Sequence, residues 1–509
     1  MNVLLSLLQK STDYNQLLKA VEAKQAVAVS GLSQAPRSHV LAAAHEQSGR
    51  PLVAVCQDDM AAKRLASELG AFLGEEPPVL PSRELTLAGA IGVSRQWEQQ
   101  RLRLLYALAQ GRIPVLVASL DALLLRTLPR QTLFSASVTL RVGAEYSMPE
   151  LIERLTRAGY SRASLVEGVG QFALRGGILD VYSPAQEKPL RAEFFGDELD
   201  TMGYFDPITQ RRTENVDEAV LLPVAETEPH LHPQGISGLC EDLRAIIARQ
   251  QRRKTPNQAL IETLQKDCEA LENETLFASA DRYMALIYPE FTTAASYLPQ
   301  EAIVAFCDHG NLQRGEKDRA EEFGLLLDSF LTSGTLFGEL CDYYATMDDL
   351  AASLRGRAVI YCDSFLAARY PESLPPKQLL SFTARQLPGY GGSLETAAAD
   401  LKNYASNQYG SIVLCGGQRR GEILKELLAK SGLNALLSFP LTKLPQPGQI
   451  LIAGGSLPAG LEYPTLKFAI LTEGQIAVRQ ERKRVRAPKK ATNRKKLDSF
   501  TDLTPGDLV

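Results

Sequence analysis

At 509 residues, 45% of them hydrophobic and 22% charged, the chain is long enough for three or four domains with sizeable cores. Its net charge of −4 excludes a global electrostatic case for a nucleic-acid or membrane partner and leaves only local ones. No apolar run approaches the roughly 18 residues of a membrane span, and seven scattered cysteines without CxxC spacing point to a reducing cytoplasm rather than a disulfide framework.

The opening MNVLLSLLQKST lacks a basic region and a cleavage pattern, so it reads as an amphipathic helix rather than a signal peptide. From about 25 to 137, the β-branched runs AVAVS, PLVAVC and IPVLVAS alternate with helical stretches at Met60 to Leu73 and Arg95 to Ala109. This alternation predicts an α/β domain with a mostly parallel sheet, whose first part is 1–137. The pattern then changes. SVTLRV alternates, PELIERLTRAG is one short helix, and Gln171 to Val224 is dense in strand and turn signals. A small α+β domain inserted at 138–224 is the expectation. Helical patterns from Gly238 to Ala270 and Glu316 to Leu331, around the strand AIVAF, resume the first domain over 225–341. AVIYC, SIVLCGG, QILIAGG and FAILTEG predict a second small α/β domain at 342–478. Over 479–496 the composition shifts to ten Lys or Arg against one Glu, with no aromatic, as in a basic linker. Its Arg482, Lys483, Arg484, Lys489 and Lys490 are candidates for weak, sequence-independent DNA contact. Residues 497–509 read as the start of a further, truncated domain.

The first strand-to-helix turn runs from Gly31 to Ser38, where a P-loop would sit. The pattern GxxxxGK[ST] is damaged twice. Pro36 replaces the second glycine and removes a backbone donor. Arg37 replaces the lysine that reaches the phosphates as a compact charge, and only Ser38 keeps its type. The expected fold is therefore multidomain α/β, with a degenerate P-loop-NTPase-like domain. The alternative is an ordinary strand–helix turn. The acidic pair that such an enzyme needs for magnesium and water is reduced to Asp308 in Cys307-Asp308-His309. No GxSxG and no GxGxxG after a strand is present. His230 and His232 lack an HExxH or cysteine context, so no metal site is expected. Nor does any spacing mark a catalytic residue.

The insertion carries the most specific text, QFALRGGILDVYSP followed by RAEFFGDELDTMGYFDPITQRR. In RAEFF, Arg191, Glu193 and Phe195 share one face by period 2. Arg191 and Phe195 then stand about 13 Å apart at ~3.3 Å per residue. Arg with an outward Phe has the composition of an interface hot spot. A structural ion pair of Arg191 with Glu193 or Asp197, beside a core Phe, is the competing explanation.

At these residues the chain resembles the domain shared by the excision-repair protein UvrB and the bacterial transcription-repair coupling factors. PSRELTLAGAIGVSRQWEQQRLRLLYALAQG, IYPEFTTAASYLPQEAIVAFCD and SFTDLTPGDLV extend the likeness along the chain. The last of these resembles the opening of the RNA-polymerase-interacting domain of the coupling factors. The resemblance implies a non-catalytic UvrB-like module that recruits UvrA, with family contact positions falling on Arg175, Arg191 and Phe195. It also implies RNA polymerase as a partner through the domain beginning at the end of the chain. No cofactor is expected here, since ATP and magnesium would belong to a translocase motor beyond residue 509. An ATP-dependent DNA helicase or translocase of the UvrB class stays open as the second reading, with Pro36 and Arg37 against it.

Overall fold

The computed structural model describes residues 3–88, 96–273, 277, 279–367 and 369–476. Five apolar runs form strands with every residue buried: Ala26–Ser30, Leu52–Cys56, Val115–Ser119, Ile303–Cys307 and Ala358–Cys362. With Val79–Leu80 and Gln378–Ser381 they make a seven-stranded sheet. Its order is Gln378–Ser381, Ala26–Ser30, Ala358–Cys362, Ile303–Cys307, Leu52–Cys56, Val115–Ser119, Val79–Leu80, and every neighbouring pair is parallel. Both faces are covered. Val304 and Phe306 point into one core, while Ile303, Ala305 and Cys307 point into another. Burial on two sides explains why these strands read as continuous apolar runs rather than alternating ones.

The boundary expected at 342 is corrected by this topology. AVIYC is not the first strand of a second domain. It lies in the middle of the first sheet, and Gln378–Ser381 forms that sheet's edge. A parallel sheet is wound through crossovers, so order in the chain differs from order in space. An apolar pentapeptide carries no mark of which sheet it joins. The second sheet instead takes the order Arg385–Gln386, Leu461–Tyr463, Phe468–Thr472, Gly410–Cys415, Ile450–Gly454, Ala435–Ser438. The Gln34–Ser48 helix joins the two units. Its His39 hydrogen-bonds Tyr463 Oη at 2.9 Å and stacks on Phe72 at 4.9 Å. Val27, Val29, Ile412, Leu414, Phe468 and Ile470 share one continuous core.

The insertion leaves and re-enters the first domain through an antiparallel pair, Val138–Arg141 against Glu218–Leu221. Beyond this neck a six-stranded sheet runs in the order Arg212–Asn215, Glu198–Phe205, Leu190–Phe195, Ile178–Val181, Gln171–Arg175, Ser161–Arg162. Leu151 and Leu155 of the Met148–Arg157 helix pack on its inner face with Leu179, Leu190, Ala192 and Met202. On the host side, the returning segment is fixed by buried charge. Arg101 Nε lies 2.7 Å from Glu226 Oε1, Thr227 donates to Asp281 at 2.6 Å, and Arg83 pairs with Asp281.

No helix among the described residues is long and apolar enough to cross a membrane. The basic stretch 479–496 and residues 497–509 lie outside the described residues, and so do Arg482, Lys483, Arg484, Lys489 and Lys490.

Candidate functional site

Two places were expected to matter, the degenerate loop and the outer face of the inserted sheet. At the loop, only Gly31, Leu32 and Ser33 separate the strand ending at Ser30 from the helix starting at Gln34. Pro36 therefore lies in the first helical turn, where a missing N–H costs little. Gly31 has φ of +78°, and a Cβ there would stand 2.0 Å from the Phe382 carbonyl oxygen. Its own N–H donates to Ser364 O at 3.2 Å. The space a phosphate would circle is thus closed by the chain itself.

The remaining loop residues are turned to internal partners. Arg37 is buried inside the helix, and Nη1 lies 2.7 Å from Asp308 Oδ2. Burial opposes its charge, but Cys307 and Asp308 outweigh it and hold the guanidinium charged. The Ser38 hydroxyl donates to Glu68 at 2.5 Å, and Gln34 Nε2 donates to the same carboxylate at 2.5 Å. Asp308 sits at φ 58° as the cap of the His309–Thr332 helix, a left-handed conformation uncommon outside glycine. Asp363, which no sequence pattern singles out, directly follows the neighbouring strand Ala358–Cys362. Burial pushes its carboxyl up to about 6. A cavity of about 120 Å³ remains beside Gln34, Arg37, Glu68 and Asp308, small beside the roughly 300–1,000 Å³ of ordinary ligand pockets. A nucleotide–magnesium group does not fit this donor set. Of the two carboxylates at the strand ends, Asp308 already holds Arg37 and Asp363 accepts from Gly310 N, and the loop offers no cradle.

On the insertion the arrangement is different. Leu190, Ala192 and Phe194 of the Leu190–Phe195 strand pack inward, while Arg191, Glu193 and Phe195 face out. Phe195 is 85% exposed. Arg191 does not pair with Glu193 or Asp197. Its Nε and Nη2 reach the two oxygens of Asp180 on the neighbouring strand, at 2.6 and 2.9 Å. The Arg191 guanidinium also lies 4.6 Å over the Phe205 ring. The hydrogen bonds that Arg191 donates to Asp180 favour its charged form. Arg175 comes alongside from the Gln171–Arg175 strand, half-exposed, and reaches the same carboxylate at 2.5 Å. Arg175, Arg191 and Phe195 thus share the outer face, and Asp180 organises both arginines from a fully buried position. Charge on such a residue needs this pairing to be tolerated. The clue in the sequence was a lone carboxylate inside the otherwise apolar run ILDV. Glu193 turns instead to Arg212 at 3.2 Å. Ile178 stands opposite Glu193, so on general sheet geometry it is a diagonal neighbour of Phe195 at roughly 7–8 Å.

His230 pairs with Glu228 at 2.8 Å and His232 with Asp242 at 3.3 Å. Among the described residues one trio of potential metal ligands lies close together, Cys240, Cys268 and Glu272. Arg244 already holds Glu272.

Residues 138–226 match the model of the UvrB interaction domain. Over 514 residues, 99% of this chain, the sequence is 26% identical to a transcription-repair-coupling factor of Staphylococcus aureus (strain USA300). Over 510 residues, again 99% of the chain, it is 23% identical to the transcription-repair-coupling factor of Bacillus subtilis (strain 168). The chain spans 43% and 42% of the lengths of these two relatives. The likeness read from RGGILD and EFFGDELD therefore extends along the whole chain, with the matched domain falling on the insertion.

Proposed function

We propose that this chain, similar along its length to the transcription-repair coupling factors, is a UvrB-like recruitment module that binds UvrA through the outer face of its inserted domain and does no chemistry itself. The observation that carries the reading is Phe195, left 85% exposed beside two arginines held on one buried carboxylate. An exposed aromatic next to preset guanidinium forks offers a partner both apolar area and bidentate recognition of carboxylates, at low ordering cost. In a longer protein the same module would bring excision repair to a stalled RNA polymerase, in the bacterial cytoplasm. Residues 497–509 would open the polymerase-binding part, and 479–496 would add weak, salt-sensitive DNA affinity. ATP and magnesium would act only in a motor outside this chain. The helicase-type reading finds no support in a loop closed by Phe382 and an Arg37 committed to Asp308.

The test is a titration of purified UvrA with the chain and with Phe195→Ala and Arg191→Ala. Each substitution is expected to cost about 2 kcal/mol, roughly thirtyfold in affinity, if the patch is a hot spot. Unchanged affinity, with both variants folded, would make the patch structural. DNA-stimulated ATP turnover by the chain would restore the enzyme reading.

A further inference from the structure

Three neighbouring strands of the first sheet end on cysteine. Cys307 lies opposite Cys362 in the parallel register, and because Phe306 lies opposite Val55, Cys307 also sits beside Cys56. Residues abreast in a sheet point to the same face, and all three thiols enter the core that contains the Gln34–Ser48 helix. Strand spacing of ~4.8 Å falls within the roughly 4.4–6.8 Å between Cα atoms that a disulfide spans. Cys307 Sγ lies 3.8 Å from Ala305 O, and Cys56 and Cys307 stand abreast on adjacent strands.

The pair is not sealed. Cys56 and Cys307 line the cavity of about 120 Å³ together with Gln34, Arg37, Glu68 and Asp308, which is room for several water-sized molecules. Cys362 lies behind it, fully buried. Arg37 supplies the cation. Its side chain is more than nine-tenths buried, its Nε has no hydrogen-bond partner among the described residues, and its charge acts on Cys307 and Cys362. The neighbouring Cys56 thiol, and after it Arg37, hold the Cys307 thiol below its usual value against the effect of burial. Cys56 is pushed up. Elsewhere burial dominates, as at Cys240, pushed up to about 12. A thiolate beside a cation, open to small molecules, is the reactive kind, whereas enclosed thiols are inert.

We propose that Cys56 and Cys307 form a peroxide-sensitive dithiol in which Cys307 attacks and Cys56 resolves. The oxidant is a small hydroperoxide. The Cys307 thiolate attacks the distal oxygen, so an S–O bond forms and the O–O bond breaks. Two electrons pass to the peroxide, whose leaving oxygen takes a proton to give water or an alcohol. The Cys56 sulfur, giving up its proton, then attacks the sulfenic sulfur. The S–S bond forms, the S–O bond breaks, and water leaves. Arg37 favours the first step by stabilising the thiolate, and the registered strands hold the second thiol within reach. The site lies at the carboxyl ends of these strands beside Gln34 and Arg37, and it is independent of recruitment by the insertion.

The experiment is native treatment of the chain with hydrogen peroxide, alkylation of remaining thiols, and peptide mapping by mass spectrometry. The expected product is a Cys56–Cys307 cross-linked peptide that dithiothreitol reverses. In Cys56→Ser, dimedone should label Cys307, and in Cys307→Ser both signals should vanish. The proposal is overturned if Cys56 and Cys307 stay alkylatable while the partly buried Cys341 oxidises, or if Cys307 joins Cys362 instead. The map of the unsubstituted chain alone decides between these results, whatever the variants do to folding.

Discussion

The degenerate loop and the outer face of the insertion both set arginine beside carboxylate, yet they use the pair in opposite directions. Arg37 is drawn inward until its side chain is 9% exposed, and Asp308 meets it there. Around them the loop is closed by Phe382 and Ser364. On the insertion the carboxylate is the buried member, and the arginines lie above it with Phe195 outside. The first arrangement uses up the recognition capacity of its groups. The second uses one buried carboxylate to hold two guanidinium groups at the outer face. An ion pair therefore says little about function until it is known which partner faces water.

The comparison can be tested at several strengths. The largest effect is expected from acid. His39 and His309 are both buried, and burial lowers each to about 4. Neither ring nitrogen of His309 has a hydrogen-bond partner among the described residues. Their folded values lie below the unfolded value near 6.5, so the unfolded chain takes up protons first as the pH falls. Stability is therefore intact above about pH 6.5 and lost toward about pH 4, by at most ~1.4 kcal/mol per pH unit for each histidine. The insertion, 138–224, contains no histidine. Hydrogen exchange followed peptide by peptide should show the first domain opening at about pH 5 while the inserted sheet stays protected. Equal loss of protection in both would break the contrast.

A middle-sized effect separates Asp180 from Phe195. Asp180→Ala leaves Arg191 without its buried partner, a change that typically costs about 3 kcal/mol or more. Phe195→Ala removes an exposed ring and should move stability by less than about 0.5 kcal/mol. Urea melts of the two variants read this directly, and a comparable loss for Phe195→Ala would place that ring in the core. The smallest effect is expected from the double change Pro36→Gly with Arg37→Lys, which rebuilds the full nucleotide-loop pattern in sequence. Because the helix already begins at Gln34 and Gly31 abuts Phe382, fluorescent ATP should still not bind. Saturable binding would show that side-chain identity, not the length of the turn, had removed the site.

Much of this was legible in the residues. The buried strands announce themselves as β-branched runs, and the outward Phe195 follows from period 2 in RAEFF. Two things were hidden by distance along the chain. The place of Ala358–Cys362 depends on a crossover that no local pattern encodes, so the domain boundary was set too early. The partner of Arg191 was sought among its near neighbours in sequence, whereas Asp180 reaches it through strand pairing. The turn at Gly31 was read through a motif eight residues long, although a helix beginning at Gln34 leaves only three residues to turn in.

The neck of the insertion has a mechanical meaning. Val138 and Leu221 sit abreast at the host end, Arg141 and Glu218 abreast at the far end. A pull on the insertion away from its host loads both backbones along their length, like two cables side by side, and does not peel one strand from the other. Tension on the returning strand then runs to Glu226, clamped by Arg101 in the host interior. The tether is thus stiff under traction, a joint that can bear load without unravelling the body that holds it.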